Sequence, residues 1–221
     1  MADEKPGYLS TNKYSVSREM RSGFGFPPLA FKDESGDIVL TAKAGGIGRH
    51  AILVDPQGKQ VGSINKKGIS LGRSFTYQFF DGNNAEIGQI TIKEGLMGMN
   101  ESISMLDPNG NAVASASGNF AGFSYEVSDP DGKHTIARIS RNSGGQQGGG
   151  LGGMLGGLAK MAMSSVMGAY NIEVLDASIN ELSRLYILEL IVVLDTMFHP
   201  GQGAGGGFGV GGMPGGIGIK I

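Results

Sequence analysis

Two glycine-containing patterns have the spacing of known active-site motifs. Residues 68–72, Gly-Ile-Ser-Leu-Gly, match the nucleophile elbow, in which a serine is presented where a strand turns into a helix. The residues that follow, 73–80, predict another strand, and no helix alternates with strands along the chain. The second pattern, Gly-x-Gly-x-x-Gly at 148–153, falls in a tract that is nearly all glycine and lacks the βαβ setting of a dinucleotide site. Neither pattern predicts catalysis.

The residues that usually bind metals are equally uninformative. His50, His134 and His199 are isolated and have no ligand-like spacing for zinc. The Asp-Pro-Asp-Gly of 129–132 lacks the further oxygen ligands of a calcium loop and predicts a turn instead. The chain has no cysteine, which excludes disulfides, cysteine zinc sites and thiol catalysis. We therefore expect a protein that is not an enzyme and has no metal or cofactor.

An internal repeat dominates the chain. In each copy an apolar alternating run enters a turn rich in Asp, Pro, Asn and Gly, and a second alternating run leaves it. The five turns fall at 33–36, 55–58, 81–84, 107–110 and 129–132, with Gly82 as the glycine of the third. Pro fixes φ at the second turn position, Asp accepts a backbone hydrogen bond, and Gly accepts a positive φ. Five hairpins, together with a further strand at 170–175, predict an all-β fold that closes into a barrel or packs as a sandwich.

One long helix interrupts the β pattern at 178–199. Ser178 and Glu181 have capping-box spacing, and Pro200 ends the helix. Twelve of the seventeen residues from 182 to 198 are apolar, and they point all round the helix, which is typical of burial in protein or in a membrane. Charged residues within the helix favour burial, because an acid near mid-bilayer costs about 2.5–3.5 kcal/mol. These residues are Arg184, Glu189 and Asp195.

Forty of the 221 residues are glycine, and twenty-one of them lie in two tracts, at 143–168 and 201–221. The first tract also contains methionines, whose flexible side chains suit an adaptable surface for lipid or for a partner protein. The alternative is a long flexible loop with a short helix near 158–166. The polar, acidic N-terminus has no apolar run and does not predict a signal peptide. We expect a cytoplasmic protein, peripheral at the inner face of the membrane.

Charge is distributed unevenly along the chain. The net charge of −2 argues against a nucleic-acid partner. Between 39 and 80 the chain has six basic residues and one acidic residue, whereas between 81 and 132 it has one basic and eight acidic residues. Consecutive hairpins stay neighbours in space, so the first segment predicts a basic flank that attracts anionic phospholipid. Its candidate lipid-binding residues are Lys43, Arg49, Lys59, Lys66, Lys67 and Arg73.

The order of these elements resembles the LURP-one-related and phospholipid scramblase families, which are relatives of the tubby C-terminal domain. The resemblance is carried by the repeated Asp-Pro-x-Gly turns, by 123–127 (Phe-Ser-Tyr-Glu-Val), and by 170–176 leading to 187–195. It covers residues 13 to 199. It implies a closed antiparallel barrel of about twelve strands around a buried C-terminal helix. On that view 1–12 is a flexible N-terminus, 142–168 an insertion and 200–221 a glycine-rich tail. The implied helix core is Leu185, Leu188, Ile191, Val192 and Leu194.

Scramblases are linked to calcium-dependent phospholipid movement, and tubby-like domains to phosphoinositide headgroups. The segment 164–171 lacks the acidic residues of the scramblase calcium segment, and no cysteine is present to take palmitate. The resemblance therefore implies phospholipid association but not calcium control. The alternative is a protein-interaction or structural module that binds a partner, or itself, through 143–168 and 201–221.

Overall fold

The computed structural model describes residues 6–19, 27–45, 50–68, 74–93, 101–119, 124–141 and 170–198, which form twelve strands and two helices. The helices are α1 (Gly7–Ser10) and α2 (Glu181–Phe198). The strands are β1 (Lys13–Arg18), β2 (Leu29–Lys32), β3 (Ile38–Gly45), β4 (His50–Val54), β5 (Gln60–Lys67), β6 (Ser74–Asp81), β7 (Glu86–Lys93), β8 (Glu101–Leu106), β9 (Ala112–Asn119), β10 (Ser124–Ser128), β11 (Thr135–Arg141) and β12 (Tyr170–Val174). The predicted hairpins correspond to β2–β3, β4–β5, β6–β7, β8–β9 and β10–β11.

The sheet is a closed barrel in which every strand pairs antiparallel with its sequence neighbour. Closure is completed where the first and last strands meet, with Tyr14 opposite Ile172 and Val16 opposite Tyr170. Closure leaves no free sheet edge. The predicted fold class, a twelve-stranded barrel around a C-terminal helix, is thereby confirmed.

The five repeated turns share one backbone design. In each of the first four, the Asp carboxylate accepts hydrogen bonds from backbone amides two and four residues later, as Asp55 does from Gln57 and Lys59. The fourth turn residue has a positive φ, and the strand entering the turn shows a register shift just before the Asp. A residue with positive φ beside such a bulge is typical of short hairpin loops.

The third and fifth turns depart from the simplest version of this design. In the third, the residue with positive φ is Asn84 and not Gly82. Gly82 is required for another reason, because a Cβ there would lie 2.6 Å from the backbone oxygen of Gln60. In the fifth turn the amide of Asp129 donates to the carbonyl of His134, five residues on, so the turn is one residue longer than the others.

Antiparallel closure gives the barrel two distinct ends. The turn end carries the five repeated turns, and β12 leads from it into α2. The loop end carries the connections β1–β2, β3–β4, β5–β6, β7–β8, β9–β10 and β11–β12. Helix α2 runs inside the barrel from the turn end towards the loop end, as the contact of Asp195 with Arg18, the last residue of β1, shows.

Helix α2 is the core of the barrel. Every residue from Tyr186 to Asp195 is buried, and the predicted core residues are buried except Leu185, which is half-buried. The helix begins at 181, not 178, because the Asn180 side chain accepts the amide hydrogen of Ser183, whereas Ser178 is hydrogen-bonded to Asp176. Within the described part of the chain, no helix is long and apolar enough to cross a membrane.

Tyr186 fixes the helix against the wall at β7 and β8. Its hydroxyl lies 2.6 Å from the carbonyl oxygen of Leu106 and 3.0 Å from that of Ile87. Gly88 provides the space, since a Cβ there would lie 1.6 Å from the Tyr186 hydroxyl. Residues preceding the predicted start of the barrel also belong to the packed body: Leu9 is buried, and Tyr14 donates a hydrogen bond to the carbonyl of Tyr8.

Candidate functional site

The structure distributes the candidate lipid-binding residues between the two ends of the barrel. Lys66 and Lys67 are the last residues of β5, and Lys43 lies two residues from the end of β3, so all three lie at the loop end. Lys59 is in the second repeated turn, at the opposite end. Arg49 and Arg73 lie outside the described residues. Among the four described residues of this set, Lys59 therefore lies at the opposite end of the barrel from Lys43, Lys66 and Lys67.

Neighbouring lysines of this group face different sides of the sheet, because side chains alternate along a strand. Lys67 and Lys43 are exposed on the outer face. Lys66 is half-buried, on the inward-facing side that includes Ile64, and its ammonium lies 4.6 Å from the ring centroid of Phe75. This separation is within the range of a cation–π contact.

Sequence reasoning missed one lysine of the loop end. Lys93 ends β7, opposite Ser74 of β6, and is exposed. It belongs to the chain segment with net negative charge, so a count of charge by segment places it on the acidic side. Lys43, Lys67 and Lys93, on alternate strands of the wall, are called the lysine rim below.

Acidic residues collect at the turn end. The repeated turns alone place an aspartate there five times, and the pKa of Asp107 is lowered by hydrogen bonds from the side chain and backbone of Asn111. The described residues at the loop end include six basic residues but only Glu19, Glu101 and Asp195 as acids. The turn end has an excess of acids over the basic residues Lys13, Lys32, Lys59, Lys133 and Arg184; its acidic residues are Asp33, Glu34, Asp37, Asp55, Asp81, Glu86, Asp107, Asp129, Asp131, Glu173, Asp176 and Glu181. Charge thus separates by barrel end, whereas the sequence segments predict a separation by flank.

A buried ion pair closes the loop end from inside. Arg18 of β1 contacts the carboxylate of Asp195 on α2, with side-chain exposures of 11% and 2%. The hydroxyl of Tyr170 on β12 donates to the other carboxylate oxygen at 3.1 Å. Burial raises the pKa of Tyr170, and the Asp195 charge raises it further. The contacts join β1, β12 and the helix.

Glu189 is an isolated acid in the middle of the helix. It is fully buried, and neither carboxylate oxygen has a hydrogen-bond partner within the described residues. One oxygen faces Gly62 of β5, 3.6 Å from where a Cβ on that glycine would lie. Burial raises the pKa of Glu189 well above its ordinary value of 4.5. The folded barrel therefore favours the neutral acid.

Glu189→Gln is expected to make the barrel more stable than wild type as the pH rises. An acid with a raised pKa in the folded state binds protons more tightly there, so its contribution to stability is fully present below about pH 4.5 and is lost as the pH rises towards the folded pKa. The glutamine side chain cannot ionise. In urea titrations, the stability difference between mutant and wild type should grow with pH above 4.5, by up to about 1.4 kcal/mol per pH unit.

The matched control is Glu181→Gln, the same substitution at an exposed position in the first turn of α2. Because this side chain is exposed, comparing the two variants separates the effect of the Glu-to-Gln change from the effect of burying the carboxyl. If the Glu189 variant showed no growing difference, the wild-type carboxyl would have to be ionised in the folded barrel.

These observations define the structural class of the protein. It is a closed twelve-stranded barrel with a helix as its core and with described residues of opposite net charge at its two ends. The chain belongs to the LURP-one-related family, whose sequence pattern matches residues 15–155. The fold is also similar to the X-ray structure of a protein from Arabidopsis thaliana, with a TM-score of 0.53 and 13% identity. That similarity covers 87% of this chain and 96% of the other. No curated protein matches the chain.

Proposed function

We propose that this protein is not an enzyme but binds anionic phospholipid surfaces peripherally, through the loop end of its barrel. The observation that carries the proposal is the separation of charge by barrel end, with the lysine rim on one end and the aspartate turns on the other. Such a charge distribution orients the molecule in the field of an anionic surface, with the loop end towards the lipid. The resemblance to the scramblase and tubby-like families supports the same class of ligand.

The expected strength of this association is modest. Each lysine near an anionic headgroup layer contributes about 1 kcal/mol, and the attraction decays over about 8–10 Å at physiological salt. The three lysines of the rim therefore contribute about 3 kcal/mol. The interaction should be reversible and should weaken as salt is added.

Lys43→Glu combined with Lys67→Glu is expected to weaken binding to anionic vesicles at least about thirtyfold, since two favourable terms of about 1 kcal/mol are lost and two repulsive ones are added. The measurement is flotation with vesicles of phosphatidylcholine alone and of phosphatidylcholine with phosphatidylserine, at low and physiological salt, with and without calcium. Wild-type protein should float only with the anionic vesicles and less at higher salt.

The matched control reverses two lysines at the turn end, Lys59→Glu with Lys133→Glu, both exposed. It changes the net charge of the chain by the same amount and should leave flotation nearly unchanged. Equal loss in both variants would contradict an oriented contact through the loop end. Absence of flotation under every condition would reject lipid binding and favour the alternative, a protein-interaction module tested by deleting 143–168.

A further inference from the structure

His50 lies at the loop end, between two lysines of the lysine rim. It is the first residue of β4 and is exposed, on the face of the sheet opposite the buried Ala51. On β3, Gly45 is opposite His50, and Lys43 is two residues before that glycine. On β5, Asn65 is opposite His50, and Lys67 is two residues after that asparagine. Such diagonal neighbours lie about 7–8 Å apart, within reach of long side chains, so the imidazole has a lysine on each side.

One nitrogen of the imidazole has a partner that suits both charge states of the ring. The Nδ1 of His50 lies 2.6 Å from the Oδ1 of Asn65. An amide oxygen can only accept a hydrogen bond, so Nδ1 carries the hydrogen and donates it. A second proton must then bind at Nε2, which is not hydrogen-bonded to any residue in the described part of the chain. Asn65 therefore holds the ring in place while Nε2 gains or loses its proton.

The charged groups on the strands around His50 are all basic. Strands β3, β4 and β5 contain no acid, and their ionisable residues are Lys43, His50, Lys66 and Lys67. Lys43 and Lys67 share the outer face with His50, whereas Lys66 lies on the inward-facing side against Phe75. Protonation of His50 thus adds a third positive charge to an outer surface that already has two. An anionic surface facing the loop end stabilises that third charge.

We propose that His50 is a further residue of the lipid-binding surface, and that its protonated Nε2 donates a hydrogen bond to a phosphate oxygen of an anionic headgroup. This inference rests on the proposed function and adds a pH dependence to it. An imidazole gains its proton, and with it a positive charge, between about pH 8 and pH 5. A surface that favours the protonated protein is bound more tightly as the pH falls, because the linkage between proton and lipid is reciprocal. One added charge near the headgroups corresponds to about a fivefold change in affinity.

The test is flotation of the full chain at about pH 7.5 and about pH 5.5, which lie on either side of imidazole titration. The vesicles contain phosphatidylcholine and phosphatidylglycerol, whose headgroup charge is the same at both pH values. Wild type should bind about fivefold more tightly at the lower pH. His50→Gln should lose this dependence and keep the weaker, salt-sensitive binding of the lysines. His50→Lys, which is charged at both pH values, should bind at the higher pH about as tightly as wild type binds at the lower.

The matched control is His134→Gln, the same substitution at an exposed histidine of the turn end. It should keep the pH response of wild type, and melting temperatures without vesicles should show that all the variants are folded. Equal binding of wild type at both pH values, or a pH response retained by His50→Gln, would overturn the role of His50 and leave the proposed function standing. Loss of the response in both glutamine variants would assign it to the charge of the whole molecule and also overturn that role. Absence of flotation at both pH values would reject the proposed function itself, and with it the headgroup contact of His50.

Discussion

Ile191→Asp is expected to prevent the chain from folding to a soluble barrel. Ile191 is fully buried in α2, within the core that the helix forms with the strands. Replacing a buried isoleucine by a much smaller side chain costs about 2–5 kcal/mol, and an unpaired buried carboxylate adds several kcal/mol. Together these approach or exceed the roughly 5–15 kcal/mol that holds a typical domain folded. Soluble yield, circular dichroism and melting temperature measure the outcome.

The conservative variant Ile191→Val keeps the apolar contact and should cost only about 0.5–1.5 kcal/mol. A soluble Asp variant with wild-type melting behaviour would show that the helix is not enclosed by the barrel. The helix already holds two buried acids: Asp195, which is paired with Arg18, and Glu189, whose pKa is raised by burial so that its neutral form is favoured. An aspartate at position 191 would require the same protonation in the same helix, which adds a second penalty of the same kind.

Much of the fold could be predicted because its information is local. The conformation of a turn such as 55–58 is determined by its own residues. The Asp55 carboxylate accepts hydrogen bonds from two nearby backbone amides, and Gly58 adopts the positive φ. Alternating burial along a strand, as from Tyr170 to Val174, likewise follows from the residues themselves. Five such turns between alternating strands leave few topologies other than neighbouring antiparallel strands. An apolar helix then needs apolar surroundings that exclude water, and the inner face of the barrel provides them.

The exceptions arise where two local signals compete. Ser178 and Asn180 both suit a helix N-cap, and the outcome depends on Asp176, which accepts hydrogen bonds from the amide and hydroxyl of Ser178. In the third turn, Gly82 and Asn84 both tolerate positive φ. The Gln60 carbonyl lies too close to Gly82 for a side chain at that position, and it is Asn84 that adopts the left-handed conformation. The Gln60 carbonyl is distant from Gly82 in the sequence, so this contact is not visible in the residues around the turn.

The candidate sites were the hardest to predict, because they depend on which end of the barrel each residue reaches. Lys59 and Lys66 are seven residues apart in the sequence, yet the eight-residue strand β5 separates them by the height of the barrel wall. Lys66 and Lys67 are adjacent but face opposite sides of the sheet. Counting charge over segments of about forty to fifty residues averages both ends and both faces. The position of each charge on the surface is known only once the register of the strands is known.

Asp195→Ala is expected to destabilise the barrel by about 3–5 kcal/mol, because it leaves Arg18 as a buried charge without its partner. The two residues are 177 positions apart, so their contact links the first strand to the end of the helix and to the closure of the barrel. Tyr170 also loses the acceptor of its hydroxyl. Urea unfolding of the full chain measures the change. Tyr170→Phe is the control, since it removes one hydrogen bond but keeps the ion pair and should cost about 1 kcal/mol.

A buried ion pair can be replaced without loss when both charges leave together, because the desolvation of each ion is then avoided. Arg18→Met combined with Asp195→Leu should therefore recover most of the stability that Asp195→Ala loses. A loss equal to the sum of the losses of Arg18→Met alone and Asp195→Leu alone would mean that the two residues are not coupled.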